Sequence, residues 1–147
     1  MKKFRKAELC KRIITFPMRT FNIVFIVVFV LFAALQYNDP DPYMWVPIYL
    51  YAAFLCYRAM QKKYDPVLYS IGLLIYGGYA VYLFFDRTGV LDWAEAHHAE
   101  NLVQTMKATK PWIEETREFG GLAIILIVMT VNFFWLRRSR KSHTAYL

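Results

Sequence analysis

Two short polar segments hold most of the side chains in this chain that could do chemistry. The first is the run Asn38-Asp39-Pro40-Asp41-Pro42, and the second covers residues 114–118, with three glutamates and one arginine. Carboxylate and amide oxygens are the ligands that hard cations take in proteins. Paired carboxylates also serve as general acids and bases. Both kinds of chemistry therefore depend on where these two segments lie.

The first segment has two interpretations. In one, Asp41 caps a helix that Pro42 begins, and Asp39 before Pro40 favours a turn, so the run is a rigid connector. In the other, the oxygens of Asn38, Asp39 and Asp41 bind a cation. Three oxygens are too few for a closed calcium site, so we favour the connector and predict no metal.

The second segment opens the last predicted helix, which begins at Pro111. Glu114 is three residues before Arg117 and four before Glu118, so these side chains lie near one face of a helix. One interpretation is a solvated helix start with a single ion pair. The other is a polar cluster in which the two segments meet. The members of this candidate cluster are Asn38, Asp39, Asp41, Glu114, Arg117 and Glu118.

Four apolar blocks must position these segments. The chain has 147 residues, of which 58% are hydrophobic and 18% aromatic. A helix needs roughly 20 mostly apolar residues to cross the hydrocarbon core of a bilayer. We therefore predict an all-α membrane protein with a single four-helix transmembrane domain over residues 1–147, with spans at about 17–37, 43–61, 66–86 and 118–136.

The distribution of charge predicts the orientation of these spans. Lys and Arg concentrate in cytoplasmic loops near span ends. Fourteen of the 18 basic residues fall on one predicted side: Lys2, Lys3, Arg5, Lys6, Lys11, Arg12, Arg19, Arg58, Lys62, Lys63, Arg137, Arg138, Arg140 and Lys141. Both termini are thus predicted to be cytoplasmic, in the plasma or cytoplasmic membrane, and the acidic segments to face outward.

The partners follow from the same distribution. The net charge is +7, but because the bases flank membrane spans we expect anionic lipid headgroups rather than nucleic acid. The spans have no ionisable residue in their interiors, which argues against a haem between helices, against charge-coupled transport and against any cofactor.

Small residues and tyrosines within the spans predict packing faces. Small side chains let helix backbones approach closely in a membrane. The predicted small-residue faces are Ala52, Ala53 and Cys56 in the second span, and Leu73, Gly77 and Ala80 in the third. Four tyrosines fall close to one side of the third span: Tyr69, Tyr76, Tyr79 and Tyr82.

The connection 87–111 predicts an outer loop with a short amphipathic helix from about Trp93 to Met106. Asp92 followed by Glu95 is typical of a capping box at a helix start. His97 and His98 are adjacent, so they point in different directions and make a weak metal site.

The segment Gln36-Tyr37-Asn38-Asp39-Pro40-Asp41-Pro42, followed by Trp45 and Ile48-Tyr49, resembles the transmembrane protein 220 family. The run Glu115-Thr116-Arg117-Glu118-Phe119-Gly120-Gly121-Leu122 is also similar to that family. The resemblance covers essentially the whole four-helix layout. It implies a small multi-pass membrane protein and carries no activity with it.

Three functions fit these observations. The leading hypothesis is a non-enzymatic accessory or scaffolding subunit that engages a membrane-protein partner. The alternative is a small-ligand or cation-binding protein, or a permease, with its site between residues 38–42 and Arg117 and Glu118. The second alternative is an enzyme with Asp39, Asp41 and Glu118 as outward carboxylates, although the chain lacks a recognisable nucleophile or cofactor motif.

Overall fold

The computed structural model describes the backbone of residues 2–39, 41–87, 89–95 and 111–144, and the side chains of residues 17–37, 39, 41–87, 89–95 and 112–140. Within these ranges the chain forms helices and no strand. The helices are α1 (Lys2–Leu35), a 3₁₀ turn (Gln36–Asn38), α2 (Pro42–Met60), α3 (Pro66–Phe85), α4 (Val90–Glu95) and α5 (Pro111–Thr144). The all-helical class is confirmed.

The chain divides into two compact units. The first contains residues 1–64 and 136–147, and the second contains residues 65–135. The first unit thus holds α1, the 3₁₀ turn, α2 and the last residues of α5. The second holds α3, α4 and most of α5.

Helix α1 runs without interruption through Pro17. Proline lacks the N–H that would bond to the carbonyl four residues back, so one helical hydrogen bond is missing at this point. One turn later, the amide of Asn22 is fully buried, and its Nδ2 donates to the Met18 carbonyl at 2.8 Å. A buried amide that donates to the backbone avoids much of the cost of leaving water.

Helices α1 and α2 form an antiparallel hairpin. The ring of Tyr49 lies 6.5 Å from that of Phe29 and 5.5 Å from that of Phe32, between ring centroids. The short connection between the two helices also requires an antiparallel arrangement. The predicted small-residue face of α2 is confirmed as buried; its members are Ala52, Ala53 and Cys56.

Helix α2 ends in a Schellman motif. The Lys62 N–H donates to the Ala59 carbonyl at 2.8 Å, and the Lys63 N–H donates to the Arg58 carbonyl at 3.0 Å. Lys62 has a φ of 57°, in the left-handed region that glycine normally takes at this position. A side chain there costs roughly 1–2 kcal/mol. The motif thus holds a lysine where glycine would be less strained.

The second unit is built on one face of α3. The buried residues of α3 recur at helical spacing and are Tyr69, Gly72, Tyr76, Ala80 and Leu83. Tyr69 packs on Phe133 of α5 with the ring centroids 6.3 Å apart, and Phe84 packs on Phe119 at 5.8 Å. Ring contacts therefore join α3 to α5 at both ends of α3.

Two predictions about α3 were wrong in part. Ala80 is buried as expected, but Gly77 is only half-buried, and a Cβ added to it would have no described atom within 4 Å. The four tyrosines do not share one environment either. Tyr69 and Tyr76 are buried, whereas Tyr82 is exposed and its ring stacks on that of Tyr79 at 6.1 Å. Successive residues of an α-helix are rotated by about 100° around its axis, and this rotation places Tyr82 away from the buried face.

Within the part of the chain that the structure describes, three helices are long and apolar enough to cross a membrane. These candidate spans are Pro17–Leu35, Pro66–Phe85 and Trp112–Arg140. Helix α2 has 19 residues but is not among them, because four tyrosines, two prolines and Arg58 lower its mean hydropathy. The membrane character of the chain is thus shown, whereas the fourth span stays a prediction.

The turn between α3 and α4 depends on Gly89. Its N–H donates to the Asp86 carbonyl at 3.0 Å, and a Cβ at this position would overlap the Leu83 carbonyl. Helix α4 then begins at Val90, so Asp92 lies within the first turn rather than at the predicted cap. Of the predicted amphipathic helix, Trp93 to Glu95 are helical, and the remainder, with His97 and His98, lies outside the described residues.

Candidate functional site

The first predicted polar segment is a tight connection between α1 and α2. Gln36–Asn38 form the 3₁₀ turn, and the Asp39 N–H donates to the Gln36 carbonyl at 3.0 Å. Asp39 is half-buried, with φ −75° and ψ 156°. This extended conformation is the one that a following proline favours. The described backbone thus makes a tight turn between α1 and α2.

Asp41 stands at the N-cap position of α2, but its side chain does not cap the helix. Its carbonyl accepts the first helical hydrogen bonds, from the N–H groups of Met44 at 3.1 Å and Trp45 at 3.3 Å. The carboxylate instead accepts a hydrogen bond from the Tyr43 hydroxyl, at 2.8 Å from Oδ1. The prediction of Pro42 as first helical residue is confirmed, while the prediction of a side-chain cap at Asp41 is wrong.

A cap of the predicted kind occurs instead at Asp65. Its Oδ1 accepts the N–H groups of Val67 at 3.2 Å and Leu68 at 3.4 Å, immediately before α3 begins at Pro66. The two Asp-Pro steps differ because Asp65 has an extended backbone, φ −125° and ψ 97°, whereas Asp41 has ψ 52°. The extended ψ at Asp65 turns its carboxylate toward the free donors of the helix.

The second predicted segment occupies the first turns of α5. Glu114 and Glu118 are half-buried and Arg117 is exposed. Each of the three takes part in at least one hydrogen bond, ion pair or electrostatic interaction. Asp39 and Asp41 belong to the first unit and these three residues to the second. The association of the two segments in one cluster therefore stays a prediction.

A different polar group does come together within the second unit. Tyr82 lies one helical turn before Asp86, and the carboxylates of Asp86 and Glu115 both lie close enough to its hydroxyl to act on it electrostatically. The contact between the Phe84 and Phe119 rings brings the end of α3 and the start of α5 together at this point. Sequence reasoning chose the neighbours of Glu115 and missed Glu115 itself.

Helical periodicity carries the signal that would have found Glu115. It lies three residues after Trp112 and four before Phe119, so it shares a face of α5 with two aromatic rings. Glu114 and Arg117 point to other sides of the helix, while Glu118, three residues after Glu115, borders the same face. A carboxylate on an aromatic face meets the neighbouring helix rather than solvent.

The same end of α5 holds a buried hydroxyl. Thr116 is 6% exposed, and its Oγ1 makes no hydrogen bond with any described residue. The carboxylates of Asp86 and Glu115 and the Tyr82 phenol suit a cation or a hydrogen-bond donor as ligand. Among the described side chains, however, no three His, Cys, Asp or Glu residues converge as a metal site would require.

Comparison with known proteins places the chain in one family. A model described as "Transmembrane family 220, helix" matches residues 28–134. These residues cover the C-terminal end of α1, the 3₁₀ turn, helices α2 to α4 and most of α5. Neither a curated protein nor a solved structure matches the chain.

Proposed function

Because the chain belongs to transmembrane family 220, we propose that it is a four-span membrane protein acting as a non-enzymatic accessory or scaffolding subunit. In this proposal both termini are cytoplasmic, residues 38–42 and the connection 87–111 face outward, and the protein resides in the plasma or cytoplasmic membrane. The spans pack against a partner membrane protein, and the acidic outer face contributes to the contact.

The geometry of the α1–α2 hairpin supports the fourth span. A helix of 19 residues is about 28 Å long, close to the thickness of the hydrocarbon core. Large apolar side chains on α2 are exposed, among them Leu50 and Phe54. Since α2 is paired with α1, which is long and apolar enough to span, α2 would cross the bilayer beside it.

The charges of the hairpin support the orientation. Asp39 and Asp41 lie at the connection, whereas Arg19, Lys62 and Lys63 lie at the opposite end, about 30 Å away along α2. Between the two ends, the described residues of the hairpin carry no charge apart from Arg58. The basic end is therefore the one expected in the cytoplasm.

One observation carries the accessory role: α3 presents an apolar face with a glycine at its centre. Leu74 is 76% exposed, Ile75 and Val81 are also exposed, and a Cβ added at Gly78 would have no described atom within 4 Å. A partner helix could approach the α3 backbone closely at Gly78, as small residues permit between membrane helices.

Purification in mild detergent tests this role. The tagged full chain should bring down a companion membrane protein, and Gly78→Leu should abolish that association by blocking the approach to α3. Ala34→Leu, which introduces the same side chain at an exposed position on α1, is the matched control and should leave the association intact. A chain that purifies alone as a monomer would contradict the accessory role.

The second candidate function is binding of a small ligand or cation, or permeation, at the outward polar segments. Its site would lie between residues 38–42 and the Arg117-Glu118 step, and the grouping of Tyr82, Asp86 and Glu115 favours this function. Equilibrium binding of calcium or an ammonium cation that is lost in Asp86→Asn would support this function. The second alternative, an enzyme with Asp39, Asp41 and Glu118 as outward carboxylates, has no support beyond the presence of these residues.

A further inference from the structure

The end of the α1–α2 hairpin opposite the acidic connection gathers basic side chains. The ring contacts of Tyr49 with Phe29 and Phe32 show which residues of α1 and α2 lie side by side. Arg19 lies ten residues before Phe29 and thirteen before Phe32, and residues 59 and 62 lie ten and thirteen after Tyr49. Arg19 is therefore at the same height along the hairpin as residues 59–62. Arg19 thus lies within about one helical turn, in height, of Arg58 and Lys62.

The side chains at this end differ in how they meet the membrane. Arg19, Lys62 and Lys63 are exposed, whereas Arg58 is half-buried. The Arg58 guanidinium lies over the Phe54 ring, 5.9 Å from its centroid. Since Phe54 is one turn closer to the middle of the span, this contact holds the guanidinium slightly inside the end of α2. The exposed lysines lie beyond it.

The backbone at Lys62 is held in one conformation. The Schellman motif holds Lys62 in the left-handed region, with the N–H groups of Lys62 and Lys63 bonded to the end of α2. Glycine would relieve the strain but would remove one charge from this end. A lysine at the strained position therefore has a use that glycine could not serve.

Among the described side chains of the hairpin, the acids lie at the opposite end, at Asp39 and Asp41. Residues 17–35 and 42–63 contain no acid. Asp65, the next acid along the chain, accepts the N–H groups of Val67 and Leu68 at the start of α3. At the surface of a bilayer, the abundant anions at this depth are the phosphates of lipid headgroups.

We infer that Arg19, Arg58, Lys62 and Lys63 form a docking site for the headgroup of an anionic phospholipid. The Arg58 guanidinium lies at the depth of the lipid phosphate, and the lysines surround the headgroup from the aqueous side. This site is independent of any protein partner and of the outward polar residues.

Lipid binding to the full chain in a neutral detergent tests the inference, with bound lipid counted by native mass spectrometry. Phosphatidylglycerol should bind more tightly than phosphatidylcholine, and rising salt should weaken its binding. Lys62→Gly should weaken the binding of phosphatidylglycerol roughly fivefold. Adding Lys63→Gln should weaken this binding by about the same factor again. Arg87→Gln, an exposed base outside this site, is the matched control and should bind as the wild type does.

A second measurement separates binding from folding. With phosphatidylcholine alone, Lys62→Gly should unfold at a temperature no lower than the wild type, because glycine relieves the strain. Equal binding of the two lipids, or wild-type affinity in Lys62→Gly, would overturn the inference. Displacement of the lipid by free glycerol phosphate would also overturn it, since the ligand would then be a soluble phosphate.

Discussion

At the scale of single residues, two Asp-Pro steps of the same composition behave differently. Asp65 caps α3 through two backbone N–H groups, whereas Asp41 directs its carboxylate to the Tyr43 hydroxyl. Both prolines begin a helix. The sequence signal therefore predicts the start of the helix, and the backbone torsion of the aspartate decides whether its side chain also stabilises that start.

This difference predicts unequal costs of substitution. Asp65→Ala should lower the free energy of unfolding by about 1 kcal/mol, the usual cost of losing an N-cap. Asp41→Ala removes only an exposed side-chain hydrogen bond and should cost less than half of that. Thermal unfolding of the two variants in one detergent measures the comparison. Equal losses would contradict the assignment of the cap to Asp65 alone.

At the scale of elements, the packing of α3 depends on which glycines have neighbours. Gly89 lies against the Leu83 carbonyl, within the turn that joins α3 to α4, whereas Gly78 has open space around it. Both are glycines near or within the same helix. Only the first needs to lack a side chain for the turn to close.

Gly89→Ala should therefore destabilise the protein by on the order of 2 kcal/mol, as overpacking does elsewhere, because backbone atoms must move. Gly78→Ala is the matched control. It should stabilise α3 by about 0.5–1 kcal/mol, since alanine is the better helix former. Unfolding midpoints in detergent give both values, and a tolerated alanine at residue 89 would show that the turn has room that the structure does not show.

At the scale of the whole molecule, the number of spans decides on which side each connection lies. With four spans the termini share a side, and residue 39 is on the opposite side from residue 63. If α2 did not cross, these two positions would share a side. The side of the membrane on which each end of α2 lies therefore distinguishes the two arrangements.

Labelling of single cysteines in intact cells measures this arrangement. In a Cys10→Ser/Cys56→Ala background, Asp39→Cys should react with a membrane-impermeant maleimide added outside. Lys63→Cys should react only after the cells are permeabilised. The two variants control for each other, and labelling of both before permeabilisation would show that α2 does not cross the membrane.

Prediction from sequence succeeded where a feature depends on neighbours along the chain. Pro42, Pro66 and Pro111 begin helices in the structure, and apolar runs identified the long helices. It failed where a feature depends on contacts between helices. The role of Glu115 follows from the approach of α3 to α5, and the choice of Gly72 over Gly77 as a buried glycine follows from the rotation of α3 about its axis.

The candidate site shows the same limit. Local spacing indicated which segments carry carboxylates, and the structure confirms that they lie at helix ends. It could not indicate that the Glu115 carboxylate acts electrostatically on the Tyr82 hydroxyl, because these residues are about thirty positions apart in the chain. Nor does spacing along the chain bear on whether residues 38–42 approach Arg117 and Glu118.

The separation of acids and bases along the α1–α2 hairpin has an electrical consequence. A group of one sign at each end makes the hairpin a dipole along the axis of its helices. Each charge carried across a membrane potential of 100 mV changes the energy by about 2.3 kcal/mol. A cell with a negative interior would thus hold the hairpin with Lys62 and Lys63 inside, so that voltage itself opposes the reversed insertion of this part of the chain.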